Sequence, residues 1–241
     1  SCAQQGVWYV SQLGRAGIAY NVPFAWRIHG RLDARALEQA LNEVIQRHDA
    51  LRTIFVTVDG EVFQSVLDRP SFQLAIFDFR REDTSRHQER IRAFLADEAS
   101  HHFDLSGELL IRAALLRITD EEHIFVLNQH HITHDGWSLG IFLNELKHYY
   151  RAFSTGNTFS LPMPSLQYPD FSVRQREQLS GGALQKNIAY WKQQLADIPS
   201  LLDLPADRKR PREQSYHGYS EGFTFASSLS ETVRALSEGE G

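Results

Sequence analysis

Hydrophobic positions come in short blocks whose period changes along the chain, and each change predicts an element. VPFAWRIHG, from Val22, mixes β-branched and aromatic residues with polar ones and predicts a strand. After it Asp33 is a good N-cap, and Leu37, Ala40, Leu41, Val44 and Ile45 recur at helical spacing. IFVTVDGEVFQSVL, centred on Asp59-Gly60, carries the two-residue turn signal of a hairpin. FQLAIFDF, from Phe72, predicts another strand, and Thr84 to His102 a helix with Ile91, Leu95 and Ala99 on one stripe.

Leu110 to Ile118 and His123 to Ile132 predict two strands around the polar turn TDEE. Beyond Gly136 the period becomes helical, with Trp137, Ile141, Leu143, Leu146 and Tyr149/Tyr150 expected on a shared buried side. The Pro-bearing SLPMPSLQYP interrupts at 160–169. Helices are expected at Asp170 to Gln178 and Ala183 to Ala196, then a short strand in GYSEGFTF and a helix beginning at Ser230. This interleaving, with a hairpin, predicts a mixed α/β layered sandwich rather than an all-parallel sheet. The last helix lacks an apolar continuation, so a truncated second domain is expected from about residue 180.

Composition narrows the class. The chain has 241 residues, 42% of them apolar, enough for a sizeable core. Twenty-five basic against thirty acidic side chains give a net charge of -5, and the short RKRPR patch at Arg208 to Arg212 is the one basic cluster, which argues against nucleic acid. The lone Cys2 allows no internal disulfide, so the expected compartment is the cytoplasm. No segment approaches the roughly 18 to 20 apolar residues of a membrane span. The chain starts at Ser1 and has one methionine, Met163, so it is expected to be part of something longer.

The chemistry concentrates in HHITHDGWS, residues 130–138. Side chains alternate along a strand, so His130 and His131 cannot both face one cleft; one is expected inside and the other at solvent or substrate. Neither the helical His-Glu-x-x-His spacing nor a nearby cysteine supports a metal site. A polar strand end with satisfied histidines is the bland alternative. Against it stands Asp-Gly at the strand-to-helix junction, where the carboxylate can orient its surroundings and the glycine permits close approach. An imidazole, with an ordinary pKa near 6.5, suits proton transfer at neutral pH. No Gly-x-Ser-x-Gly elbow occurs, which leaves direct attack of one substrate on another.

HHITHDG resembles the His-His-x-x-x-Asp-Gly motif of the condensation domains of nonribosomal peptide synthetases, in the chloramphenicol acetyltransferase-like superfamily. SCAQQGVWYV at 1–10 is similar to the family's opening motif, with Gly6-Val7 where Arg-Leu is usual. RHDALRTIF at 47–55 resembles its second, with Asp49 for glutamate. YPDFSVRQ at 168–175 is similar to its fourth, with Arg174 where tryptophan is common. The four occur in the family's order.

The resemblance implies a two-lobed V with a tunnel at the lobe junction, residues 1–180 forming the first lobe and 181–241 the incomplete start of the second. It implies amide formation between an acyl thioester on an upstream peptidyl carrier protein and the amine of an aminoacyl thioester on a downstream one, with an adenylation domain as neighbour. The 4'-phosphopantetheine arms come from the carriers; the chain itself is expected to bind no cofactor or metal. His131 is implied as catalytic, either taking a proton from the amine or positioning it and stabilising the tetrahedral intermediate. His130 is implied as its structural neighbour. Asp135 is implied to be a structural carboxylate paired with Arg47, or failing that Arg52. Gly136 would leave room for the arriving arm, with Trp137 and Ser138 on the same approach; His134 has no assigned role. Trp8, Tyr9 and Phe55 are expected in the core, and RKRPR in a solvated loop. The opening motif and Asp-Gly-Trp-Ser lean towards an L-configured donor. Epimerisation, another carrier-dependent acyl transfer, or a silent recruiting domain are the alternatives.

Overall fold

The structure is a computed structural model that describes residues 1–241 except Thr158, Gly181, Leu201, Asp203, Arg210, Pro211, residues 213–220 and Gly241, and the side chains of residues 14–16. Its elements are α1 (Cys2–Ser11), β1 (Asn21–His29), α2 (Ala34–Arg47), β2 (Thr53–Val58), β3 (Glu61–Val66), β4 (Ala75–Asp78), α3 (Thr84–Ala99), β5 (Ile111–Arg117), β6 (Glu122–His130), α4 (Gly136–Thr155), α5 (Tyr168–Leu179), α6 (Gly182–Gln194) and α7 (Ser227–Glu240). Short 3-10 turns occupy Gly14–Tyr20 and Asp49–Arg52.

One sheet runs β1-β6-β5-β4. β6 is antiparallel to both neighbours, whereas β4 and β5 are parallel and joined through α3. The sheet is therefore mixed, as the interleaved pattern predicts.

Strand alternation splits the core into two layers. Ala113 and Leu115 of β5, with Phe125 and Leu127 of β6, pack with Leu41 and Ile45 of α2 and with Phe142 and Leu146 of α4. Ala114, Leu116, Ile124 and Val126 point the other way, onto Ile91, Phe94 and Leu95 of α3. Because both faces are covered, β5 and β6 read as nearly unbroken apolar runs. Leu41, Val44 and Ile45 are fully enclosed, and each such burial contributes about 1.5–3 kcal/mol. The β2–β3 hairpin turns at Asp59-Gly60, both with positive φ (50° and 80°), the backbone its tight turn requires.

Some expectations fail for geometric reasons. α1 is absent from the sequence pattern: its buried residues are Gln4 and Ser11, both polar, so no apolar period marks it. Trp137 (83% exposed) and Ile141 lie outside the core. The buried stripe of α4 is Phe142, Leu146, Tyr149 and Ala152, from which Trp137 is turned by about 140° at 100° per residue. Phe55 is buried and Trp8 half-buried as expected, but Tyr9 is exposed. In GYSEGFTF, residues 218–220 lie outside the described residues, and 221–225 form no strand. Of RKRPR, Arg210 and Pro211 lie outside the described residues; Arg208, Lys209 and Arg212 are exposed.

Two compact units emerge, Ser1–Leu202 and Asp203–Gly241. α6, expected to open the second domain, belongs to the first unit. Among the described residues no helix is long and apolar enough to cross a membrane.

Candidate active site

β6 ends at His130, the first of the two histidines, and backbone bonds at and just past the strand end hold the pair from both sides. The His130 N–H donates to Leu110 O at 3.0 Å, and that of His131 to Tyr20 O at 2.8 Å. His130 continues the α3-facing parity of β6 and is 2% exposed, beside Phe103 and Tyr20. His131 sits just past the strand, in a turn, and is exposed. The two rings part as strand alternation requires.

Hydrogen bonds fix each tautomer, because a carbonyl can only accept and an amide N–H can only donate. Ile132 N–H donates to His130 Nδ1 at 3.2 Å, so His130 carries its proton on Nε2. That nitrogen is 3.4 Å from Ser11 Oγ, whose own hydroxyl donates to Val7 O at 2.8 Å. Burial, first of all, lowers the His130 pKa to about 4, so at neutral pH the ring is an uncharged spacer.

His131 Nδ1–H donates to the main-chain O of His134 at 2.9 Å. The Nε2 lone pair is thereby left on an exposed ring, where it can accept a proton or, once protonated, donate to an oxyanion. His134 stacks against this ring with centroids 5.4 Å apart and planes 25° apart.

Asp135 is the N-cap of α4. Its Oδ1 accepts from Ser138 N–H and from the Ser138 hydroxyl, both at 2.8 Å, while Ser138 Oγ accepts from Asp135 N–H at 2.8 Å. The Ser138 amide, then its hydroxyl, hold the Asp135 carboxyl below the usual carboxylate range. The expected ion pair with Arg47 or Arg52 is absent. Arg47 instead donates to Glu145 Oε1 at 3.1 Å and to the carbonyls of Leu161 and Pro162. Arg52 binds Asp49 and Leu67 O. Arg47 closes α2 and meets α4 at Glu145, ten residues and hence about 15 Å beyond Asp135.

Gly136 has no positive φ, and a Cβ placed there would meet nothing within 4 Å; the same holds for Gly140 one turn on. Neither backbone conformation nor packing within the chain demands glycine at either place, and the space before them is open. Trp137 stands exposed beside it, and Ser138 is engaged in the cap. Among the described residues no group of three or more His, Cys, Asp or Glu side chains is placed to hold a metal.

Two residues without a role in the sequence reading, Gln4 and Glu145, tie the motif-bearing stretches to one another. Gln4 Nε2 donates to Ile132 O at 3.0 Å, and Gln4 Oε1 accepts from Gln64, which also donates to Ser172 Oγ of α5. Gln167, just before α5, donates to Arg47 O and accepts from Asp49 N–H. Glu145 holds both Arg47 and His48, the latter at 2.7 Å. The signal for Gln4 is its place in the opening motif; for Glu145 there is none.

The family model described as Condensation domain matches residues 1–241. A linear gramicidin synthase of Brevibacillus parabrevis is 41% identical over 239 residues, covering 99% of this chain and 3% of that protein. Malpinin synthetase of Mortierella alpina is 37% identical over 241 residues, covering 100% and 3%. Among solved structures, the X-domain in complex with OxyB from teicoplanin biosynthesis superposes with a TM-score of 0.77 at 28% identity, over 88% of this chain and 46% of that one. The starter condensation domain of rhizomide synthetase superposes at 0.73 over 83% and 48%, and its 22% identity speaks to the fold alone. The chain thus spans about half the length of these solved domains and a small part of the synthetases.

Proposed function

Because the chain belongs to the condensation-domain family, we propose that it supplies the catalytic histidine for amide formation between two carrier-bound substrates in nonribosomal peptide synthesis. The amine of an aminoacyl thioester on a downstream carrier attacks the carbonyl of an acyl thioester on an upstream carrier. A C–N bond forms, the C–S bond breaks, the nitrogen loses a proton and the departing sulfur gains one. The observation that carries this reading is His131: its Nδ1–H is committed to His134 O, so Nε2 of this exposed residue is the nitrogen available to the reacting amine or oxyanion. The open space before Gly136 and Gly140 fits the approach of a slender 4'-phosphopantetheine arm, with Trp137 as a wall. Carrier proteins and a neighbouring adenylation domain are the partners this reading requires, and the cytoplasm is its setting. Since the solved relatives are about twice as long, this chain by itself is expected to be inactive.

The resemblance to the X-domain supports a second reading, a recruiting platform without chemistry. One experiment separates the two. The chain is extended through a second lobe, given loaded donor and acceptor carriers, and the acceptor is followed by intact-protein mass spectrometry. A dipeptidyl mass that falls at least about a hundredfold in folded His131→Ala supports condensation, in line with the weight of a proton-transfer group. No mass gain, or a gain indifferent to His131, supports recruitment or another chemistry and removes the proposal.

A further inference from the structure

His134 is the histidine that the family motif does not use, and its side chain is held as firmly as those of its neighbours. Its Nδ1 lies 3.3 Å from His130 O; a carbonyl accepts, so that nitrogen carries the proton. Its ring lies at offset-stacking distance from His131, 5.4 Å between centroids, in the geometry aromatic pairs favour. It also lines a small, mainly apolar cavity of about 100 Å³, together with Leu51, Leu139, Ile141 and Phe142.

We infer that the imidazole of His134 is a positioning residue for the reaction proposed above: anchored on the His130 carbonyl, it forms the plate that sets the plane of the His131 ring. The main chain of the same residue takes the Nδ1 proton of His131. Residue 134 therefore governs both tautomer and orientation of the catalytic imidazole, the first through its carbonyl, the second through its side chain. An exposed ring held by one hydrogen bond still pivots about that bond; the stacked neighbour removes this freedom, and orientation is a large part of what an active site contributes.

The plate must also stay uncharged, because a cation there would repel a proton arriving on His131. Burial lowers the His134 pKa, with the charge of His131 acting in the same direction, while the His130 carbonyl and Asp135 oppose it. The polar residues that share the cavity with His134 from other elements are His48, which Glu145 engages, and the uncharged Gln129 and Ser138.

The inference rests on the condensation reading, so its test has an arm that needs no carriers. In 15N-resolved NMR of the chain, wild-type His131 is expected in the Nδ1–H form, with Nε2 unprotonated. His134→Ala, which keeps the carbonyl, is expected to mix the His131 tautomers or broaden its ring signals. His134→Phe, which restores an uncharged ring, is expected to restore the single form. In the carrier assay, His134→Ala is expected to lower kcat about tenfold with KM changed less than about twofold, below the roughly hundredfold cost of outright misplacement. His134→Phe is expected to recover most of that loss with an unaltered pH profile. An unchanged His131 ring and kcat in His134→Ala overturns the inference. If His134→Ala does not fold, His134→Phe decides alone: loss of the Nδ1–H form in a folded protein overturns it. An assay without turnover even in wild type removes the condensation reading while the NMR arm still judges the pairing of the rings.

Discussion

The side-chain amide of Gln4 donates to the main-chain carbonyl of Ile132 at 3.0 Å, which fastens the first helix to the loop that follows the double histidine. The bond is buried and spans most of the first compact body in sequence. It makes the geometry of His131 depend on a residue that touches neither histidine ring.

Replacing Gln4 by alanine leaves the buried Ile132 carbonyl without this donor, while the half-buried Gln64 amide keeps Ser172 Oγ. A buried group left unpaired costs about 1–3 kcal/mol. The expected result is a lower urea midpoint together with faster hydrogen exchange at residues 132–134 than in β5. Uniformly unchanged exchange across the loop would show that it is held from elsewhere.

Acid should act through His130. Unfolded, its imidazole titrates near 6.5; folded, at about 4. Between those values the unfolded chain binds the extra proton, so stability rises with pH through the window and is lost as pH falls from 6.5 towards 4. The loss is about 3 kcal/mol at most, each tenfold change in proton affinity being worth about 1.4 kcal/mol. Urea midpoints measured from pH 7 to 4.5 should fall steeply in wild type and less steeply in His130→Gln; parallel slopes would exclude His130 as the cause.

Asp135 and Arg47 should behave as independent residues. Asp135→Ala removes an N-cap and is expected to cost about 1 kcal/mol, not the roughly 3–5 kcal/mol of a broken buried pair. A double-mutant cycle of Asp135→Ala with Arg47→Ala should be additive, while Arg47→Ala with Glu145→Ala should couple. Coupling in the first cycle would restore the pair that the sequence suggests and the structure replaces.

Gly136→Ala and Trp137→Ala are expected to leave stability within about 0.5 kcal/mol, since the first introduces no clash and the second removes an exposed ring. Both should nonetheless raise the KM for a loaded carrier in the extended protein. An unchanged KM in both would place the path of the arm on another face.

What the sequence carries, it carries in local patterns. The apolar stripe of α2, the Asp59-Gly60 turn and the runs of β5 and β6 announce their elements because burial there follows the period of the element itself. α1 escapes, since a helix whose buried positions are Gln4 and Ser11 shows no apolar period. Trp137 misleads for the opposite reason: an aromatic residue at the start of α4 looks like core, yet it faces open space.

At the site the division is the same. Strand alternation by itself separates His130 from His131, and the residues of the motif identify which chemistry to look for. Partner choice is not legible. Asp135 could satisfy either an arginine or the unpaired amides at the head of α4, and the helix start lies within its reach while Arg47 lies about 15 Å away along α4. The tautomers, the stacking of His134 on His131 and the tie from Gln4 to Ile132 likewise exist only once distant segments meet. Period and local turn chemistry act between near neighbours and are written in the sequence; hydrogen-bond partners are chosen by distance in space, and that the tertiary fold decides.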